Sequence, residues 1–189
     1  MAGNGSQRGK IACVLGSGFE DSEFRVPVER LRAAGYEVEV IGAERGQTIV
    51  GKNRKEEVKI DRGINDADPA GYEGMLIPGG HSPDRLRADP RFVDFVKTFD
   101  ATGRPLAAIC HGPQLLLTAG LVGGRRLTAW PTVQGDLRYA GAEVRDESVV
   151  VDGNWITSRK PEDLELFSAR LIQALADLEQ RGHWQPLLV

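Results

Sequence analysis

Residues 105–112 read PLAAICHG, and this stretch decides the fold class of the 189-residue chain. The letters PLAAI form a short run with almost no polar side-chain atoms, which predicts a strand covered on both faces in the middle of a sheet. Cys110 and His111 follow directly, and Gly112 opens a predicted helix at residues 112–119. A reactive residue flanked by small residues between a strand and a helix is typical of a nucleophile elbow.

Strands and helices alternate on both sides of this stretch. Such alternation predicts one α/β domain with a mostly parallel central sheet and helices on both faces, which is a flavodoxin-like three-layer sandwich. For the helix at residues 82–99, Ser82 is the expected N-cap and Pro83 the first helical residue. The predicted strands are residues 10–15, 36–41, 48–50, 57–60, 75–77, 105–109, 126–129, 148–151 and 154–157, and the predicted helices are residues 22–34, 82–99, 112–119, 132–139 and 161–181.

The composition is that of a single globular domain. Apolar residues make up 41% and charged residues 27% of the chain, and its length fits one domain better than two. We expect a disordered lead-in over residues 1–9, one domain over residues 10–181 and a C-terminal tail over residues 182–189.

Charge and cysteine content exclude several classes of protein. The formal net charge is −3 and no basic stripe occurs, which argues against nucleic acid as a main partner. No run approaches 18 consecutive apolar residues, so no membrane-spanning helix is predicted, and the first ten residues lack the apolar core of a signal peptide. Two cysteines are too few for a disulfide framework. We therefore expect a cytoplasmic protein with reduced thiols.

Three segments with chemically useful groups come directly after predicted strands. Residues 18–21 follow the first strand, residues 79–81 follow the strand at 75–77, and Cys110 and His111 follow PLAAI. Ligands of open parallel sheets bind at the carboxyl ends of the strands. These three segments are therefore expected to line one pocket.

Cys110 is the candidate nucleophile of that pocket. A helix N-terminus beneath its sulfur favours the thiolate, and the backbone N–H of His111 is left free to point at an oxyanion. The alternative is a buried structural cysteine, since free cysteines are among the most buried residues. Cys13 lies in mid-strand among apolar residues and is expected to be structural.

Glu20 admits two interpretations. A carboxylate at a helix start is stabilised by the helix dipole, although Asp21, Ser22 and Glu23 already serve that purpose. Alternatively, Glu20 is protonated, donates a hydrogen bond to the Cys110 thiolate and acts as an acid and base in the reaction.

The Gly79-Gly80 pair is either a simple turn or a source of backbone N–H groups that complete an oxyanion hole with His111. His81 is expected at the loop surface, and His183 is expected to take no part in the chemistry. Three histidines and two cysteines at unrelated spacings match no zinc template, so no metal site is predicted.

Seven motifs together resemble the PfpI-type intracellular cysteine peptidase family, which is part of the larger deglycase and class I glutamine amidotransferase-like superfamily. They occur in the family's order and span residues 10–176. The motifs are FED at 19–21, LIPGG at 76–80, AICHGP at 108–113, LTAWP at 127–131, DLRYAGA at 136–142, VDGN at 151–154 and TSRKP at 157–161.

The resemblance implies a role for each matching residue. Cys110 is the nucleophile, Glu20 the carboxylic acid at its sulfur, His111 the partner imidazole, and the N–H groups of Gly80 and His111 the oxyanion hole. In peptidase members a glutamate from a neighbouring subunit reaches the histidine, and Asp84, which is one methylene shorter, stands at that position. The resemblance also implies a homodimer or a hexamer built from dimers.

Three functions remain open at this stage. The favoured one is a stress-related cysteine enzyme that converts methylglyoxal to lactate without a cofactor, removes glyoxal adducts from glycated protein side chains, or does both. The alternatives are an intracellular cysteine peptidase and a non-enzymatic redox sensor or chaperone. Trp130 either walls the pocket or belongs to the core or a subunit contact.

Overall fold

The structure, a computed structural model, describes residues 8–181. The predicted C-terminal tail and residues 1–7 of the predicted lead-in lie outside the described residues. The backbone N–H of Arg8 donates to Gly35 O at 3.1 Å, so the first described residue is already attached to the domain.

Strands and helices alternate along the described chain as the sequence predicts. The strands are β1 (Lys10–Val14), β2 (Glu37–Gly42), β3 (Thr48–Val50), β4 (Glu57–Lys59), β5 (Arg62–Gly63), β6 (Gly74–Ile77), β7 (Leu106–Ile109), β8 (Arg126–Leu127), β9 (Glu143–Val144), β10 (Val149–Asp152) and β11 (Trp155–Ser158). The helices are α1 (Asp21–Ala33), α2 (Ser82–Leu86), α3 (Pro90–Asp100), α4 (Pro113–Thr118), α5 (Pro131–Tyr139) and α6 (Leu164–Arg181).

Seven strands form the central sheet in the order β10-β11-β7-β6-β1-β2-β5. Every neighbouring pair is parallel except β10 and β11, which form an antiparallel pair at one edge. The predicted fold class is therefore confirmed. The carboxyl ends of β1, β6 and β7 lie side by side, and the segments after them meet at one edge of the sheet.

Alternate residues of the central strands face two separate cores. Ala12 and Val14 of β1 pack on one face with residues of α3, α4 and α5, whereas Ile11 and Cys13 pack on the other face with residues of α1 and α6. Cys13 is fully buried, as predicted for a structural cysteine. Burying both faces accounts for the near absence of polar residues in β7.

The single helix predicted over residues 82–99 is wrong: the chain forms α2 and α3 with a break between them. Proline disfavours helical backbone at the residue before it, and Asp89, which precedes Pro90, has φ −106° and ψ 111°. The Asp89 side chain instead caps α3, since its Oδ1 accepts the N–H of Arg91 at 3.0 Å. Asp89 and Pro90 therefore start a new helix.

Ser82 does not cap α2, contrary to the prediction. The residue at the N-cap position is His81, and the Ser82 hydroxyl accepts the backbone N–H of Gly16 at 2.8 Å. This hydrogen bond ties the start of α2 to the loop after β1.

No helix between residues 8 and 181 is long and apolar enough to cross a membrane.

Candidate active site

The backbone at Cys110 is strained. Its φ is +61°, and Arg54 is the other non-glycine residue with positive φ among residues 8–181. A left-handed conformation at a non-glycine residue costs about 1–3 kcal/mol and is concentrated at active sites. The turn also needs Gly112, because a Cβ there would lie 2.6 Å from Ile77 O. The tight turn of a nucleophile elbow is therefore present at the end of β7.

The Cys110 sulfur lies among backbone and side-chain nitrogens. The N–H groups of Gly80 and His111 hydrogen-bond with it, and His111 Nδ1 is 3.2 Å away. Cys110 is 6% exposed. Gly80 has φ +77°, and its surroundings leave no room for a side chain. The backbone N–H groups of the two predicted oxyanion donors thus face the Cys110 sulfur, and their role as an oxyanion hole stays a prediction.

The carboxyl group that acts most strongly on the Cys110 thiol is that of buried Glu23, and this corrects the assignment of Glu20 to that place. Glu23 is fully buried, and its Oε2 accepts the backbone N–H of Gly79 at 2.9 Å. The helix begins at Asp21, so Glu20 precedes it, whereas Glu23 lies on the inward face of the first turn.

Burial makes Glu23 a weak acid. Desolvation, followed by the negative charge of Glu20, raises the pKa of Glu23 to about 8, so the carboxyl is mostly protonated at pH 7. Burial and the charge of Glu23 also raise the pKa of the Cys110 thiol, whereas the N–H groups of Gly80 and His111 lower it. A protonated Glu23 carries no charge and can donate a hydrogen bond to sulfur. On balance the pKa of the Cys110 thiol is raised, and a protonated Glu23 opposes the thiolate less than an ionised Glu23 would.

Glu20 faces the same cavity but has other partners. Its Oε2 is 2.8 Å from Lys52 Nζ, and its Oε1 accepts hydrogen bonds from Asn53 Nδ2 and Ser22 Oγ, each at 3.3 Å. Glu20 influences the Cys110 thiol indirectly, because its negative charge raises the pKa of Glu23.

His111 is held neutral and stacked. Burial, and then the charges of Lys52 and His81, lower the pKa of His111, and the charge of Asp84 acts in the opposite direction. The rings of His111 and Trp130 stack with centroids 6.0 Å apart and an interplanar angle of 24°. Trp130 therefore forms part of the pocket wall.

Asp84 is an exposed residue of α2. Its Oδ1 accepts hydrogen bonds from Arg87 Nε at 2.9 Å and Arg87 Nη2 at 2.7 Å. The proposed reach of Asp84 to His111 of a neighbouring subunit stays a prediction.

His81 is exposed, as expected, but it also lines the cavity.

These groups open into a cavity of about 370 Å³. Lys160, Pro161 and Glu162 also line this cavity, together with Cys110 and Glu23. Among residues 8–181, no three histidine, cysteine, aspartate or glutamate side chains are grouped so as to hold a metal ion. His183 lies outside the described residues.

Residues 9–174 match the family model described as the DJ-1/PfpI family. This chain belongs to the DJ-1/PfpI family. The resemblance inferred from the motifs is therefore confirmed at the level of the family, and the match covers nearly all of the described DJ-1/PfpI domain.

Two curated DJ-1/PfpI relatives differ in their names. Protein/nucleic acid deglycase 2 of Escherichia coli (strain K12) is 46% identical over 167 residues, which are 88% of this chain and 97% of that protein. A Bacillus subtilis (strain 168) protein, provisionally named a cysteine protease, YraA, is 44% identical over 166 residues, with coverage of 88% and 98%.

A solved structure has the same fold. The crystal structure of a two-domain protein from Anabaena variabilis ATCC 29413, with DJ-1/ThiJ/PfpI-like and ferritin-like domains, gives a TM-score of 0.86 at 35% identity. The similarity covers 93% of this chain and 49% of that one.

Glu23 and Lys52 are among the residues of this DJ-1/PfpI cavity that were not predicted from the sequence. Glu23 shares a spacing of four with Pro27 and Leu31, which are buried residues of α1, so its place on the inward stripe was open to detection. Lys52 gave no such signal, because it lies in a turn that is distant in sequence from Cys110.

Proposed function

We propose that the protein is a cysteine enzyme that acts on reactive carbonyl compounds, with Cys110 as its nucleophile. The observation that carries this proposal is the convergence at one sulfur of a protonated carboxyl group, Glu23, and two backbone N–H groups. A cavity of about 370 Å³ suits a small dicarbonyl or the end of a glycated side chain. The deglycase name of the Escherichia coli relative also supports it.

The first step is addition of the thiolate to an aldehyde. With methylglyoxal, sulfur bonds to the aldehyde carbon and the carbonyl electron pair moves to its oxygen, which the N–H groups of Gly80 and His111 stabilise. Glu23 gives its proton to this oxygen, and the product is a hemithioacetal. Glu23 is then a carboxylate beside the former aldehyde carbon.

The second step moves hydrogen between the two carbons. The Glu23 carboxylate removes the proton from the former aldehyde carbon, the electron pair forms a double bond to the neighbouring carbon, and the carbonyl electron pair of that carbon moves to its oxygen, which gives an enediolate. Glu23 then returns the proton to the neighbouring carbon, and the hydroxyl proton on the former aldehyde carbon passes to the enediolate oxygen, which gives a lactoyl thioester. One carbon is oxidised and the other reduced, so no external oxidant or cofactor is needed. Water, deprotonated with the help of His111, then releases lactate and regenerates the thiol.

Lactate production from methylglyoxal, without added glutathione or metal, tests this function. We expect turnover by the wild type, loss of turnover in Cys110→Ser, and wild-type turnover in the matched variant Cys13→Ser. Lactate formation that persists in Cys110→Ser would contradict the assigned nucleophile. If the wild type makes no lactate and no free amine from glycated lysine, the carbonyl function is wrong.

The peptidase hypothesis makes a different prediction. It requires cleavage of peptide substrates and a neighbouring subunit that brings Asp84 to His111. The DJ-1/PfpI relative provisionally named a cysteine protease is the observation in its favour. Peptide cleavage that is lost in both Cys110→Ser and Asp84→Asn would establish it in place of the carbonyl function. The third hypothesis, redox sensing, predicts oxidation of Cys110 with no turnover.

A further inference from the structure

The turn at residues 51–56, between β3 and β4, is fastened to the start of α1 by one buried carboxylate. Asp21 is 4% exposed, and its Oδ2 accepts the backbone N–H of Asn53 at 2.9 Å. Its Oδ1 accepts the N–H groups of Lys55 at 2.8 Å and Glu56 at 2.9 Å. Three backbone hydrogen bonds to one carboxylate fix the turn more firmly than helix capping alone requires.

The fastened turn brings Lys52 to the mouth of the cavity. The backbone N–H of Lys52 donates to Phe19 O at 2.8 Å, and its Nζ is 2.8 Å from Glu20 Oε2. The Lys52 side chain is 41% exposed and that of Glu20 only 12%. The ammonium group is therefore accessible to solvent while it covers a half-enclosed carboxylate.

This ion pair lies beside the pair formed by Glu23 and Cys110. The charge of Lys52 lowers the pKa of Glu23 and the charge of Glu20 raises it, so the two have opposite effects on the buried acid. The Glu20 carboxylate does most to raise the pKa of Lys52, and the charges of Cys110 and Glu23 add to this effect. The other charged or titratable groups that face this cavity are His81, His111, Lys160 and Glu162.

We propose that Lys52 is a positioning residue for the nucleophile: the turn fastened by Asp21 holds its ammonium group where the charge favours the ionised form of the Glu23–Cys110 pair. Without that charge, the Glu20 carboxylate faces the pair uncompensated and disfavours ionisation. The inference rests on the nucleophilic role proposed for Cys110. It does not depend on which carbonyl compound is the substrate.

The pH dependence of Cys110 alkylation by iodoacetamide, a neutral reagent, tests the proposal. Removing the charge in Lys52→Met should raise the midpoint of the alkylation profile by about one pH unit. At a given pH below the midpoint, alkylation of Cys110 should then be about tenfold slower. Lys52→Arg should keep the wild-type profile. Peptide mass mapping separates Cys110 from the buried Cys13.

A second variant separates charge from structure. Glu20→Gln should lower the midpoint, and the double variant Lys52→Met/Glu20→Gln should return it close to the wild-type value, because the ion pair is then removed as a whole. Lys55→Met removes a lysine of the same turn that does not line the cavity, and it should leave the profile unchanged.

Two results would overturn the proposal. One is an unchanged profile in Lys52→Met, and the other is a double variant that stays shifted like Lys52→Met alone. If Lys52→Met does not fold, the proposal is tested by Glu20→Gln, whose alkylation midpoint must shift downward. Alkylation needs no carbonyl turnover, so failure of this inference is distinguishable from failure of the proposed function.

Discussion

The buried carboxyl group of Glu23 lies against the Cys110 thiol, and the backbone N–H of Gly79 holds it there. Glu23 lies in the first turn of α1, and Cys110 lies at the end of β7. The parallel sheet brings these two elements together. The acid next to the nucleophile is therefore fixed by the order of the strands.

Replacement of Glu23 should cost far more activity than replacement of Glu20. Glu23→Gln removes the group that protonates the oxyanion and takes up the carbon-bound proton, so we expect lactate turnover to fall by about 10²–10⁴-fold. Glu20→Gln keeps Glu23 in place and should lose less than about tenfold. The measurement is kcat for methylglyoxal at pH 7. Equal losses in the two variants would contradict the assignment of Glu23.

The raised pKa of Glu23 predicts how stability depends on pH. Between the ordinary glutamate value of about 4.3 and about 8, the folded state keeps a proton that the unfolded state has lost. The free energy of unfolding therefore decreases as pH rises through this window, by about 1.4 kcal/mol for each pH unit.

Urea unfolding in a Cys110→Ala background isolates this effect, because the thiol no longer exchanges protons with Glu23. Cys110→Ala/Glu23→Gln should gain stability over Cys110→Ala between pH 5 and pH 8. A difference between the two that does not change with pH would show that the glutamate is ionised in the folded protein.

Gly80→Ala should destabilise the protein and abolish turnover. Gly80 has φ +77°, and a Cβ there would lie 2.4 Å from Glu20 N and 2.6 Å from Gly18 O. We expect a loss of at least about 1–3 kcal/mol in thermal unfolding. Gly71→Ala is the control, since a Cβ at Gly71 meets nothing within 4 Å, and it should be close to neutral. A Gly80→Ala protein as stable as Gly71→Ala would disprove the steric account.

Asp21→Asn should weaken the attachment of the turn at residues 51–56. An amide cannot replace a carboxylate toward three converging N–H groups, so we expect a loss of about 2 kcal/mol or more at pH 7. Burial acts to raise the pKa of Asp21, but the backbone N–H groups outweigh it and the net pKa is lowered. The contribution of Asp21 to the free energy of unfolding is thus present above about pH 4. It is lost as the pH falls through the folded-state pKa of Asp21.

Urea unfolding at pH 7 and at pH 3 measures both parts of that prediction. The deficit of Asp21→Asn should shrink at the lower pH. Asp89→Asn is the matched control, because Asp89 caps α3 through a single backbone N–H and should lose about 1 kcal/mol or less. Equal deficits for the two variants at pH 7 would mean that the turn is held by something other than Asp21.

The sequence predicted the sheet and the elbow because both depend on short-range patterns. An apolar run followed by Cys110 and then Gly112 specifies a buried strand and a tight turn within eight residues. The break between α2 and α3 was not predicted, although Pro90 is a local signal for it.

The acid at the sulfur was harder to predict. Glu20 and Glu23 are three residues apart, which is close to one helical turn, so both carboxylates reach the same cavity. Glu20 precedes the helix and pairs with Lys52, a contact distant in sequence that no local pattern shows. Helix starts are uncertain by one or two residues in sequence reasoning, so the site residue remained ambiguous where the fold did not.

The absent side chain at Gly79 limits how the residues of this site can diversify. A Cβ there would lie 2.5 Å from Glu23 Oε2, 2.8 Å from Cys110 Cβ and 3.0 Å from His111 N, so every substitution disturbs three groups at once. Directed evolution toward new aldehydes should therefore leave position 79 fixed in its libraries. Residues 160–162 line the same cavity and are not among the three groups that crowd Gly79, so variation in substrate preference can accumulate there while the chemistry is inherited unchanged.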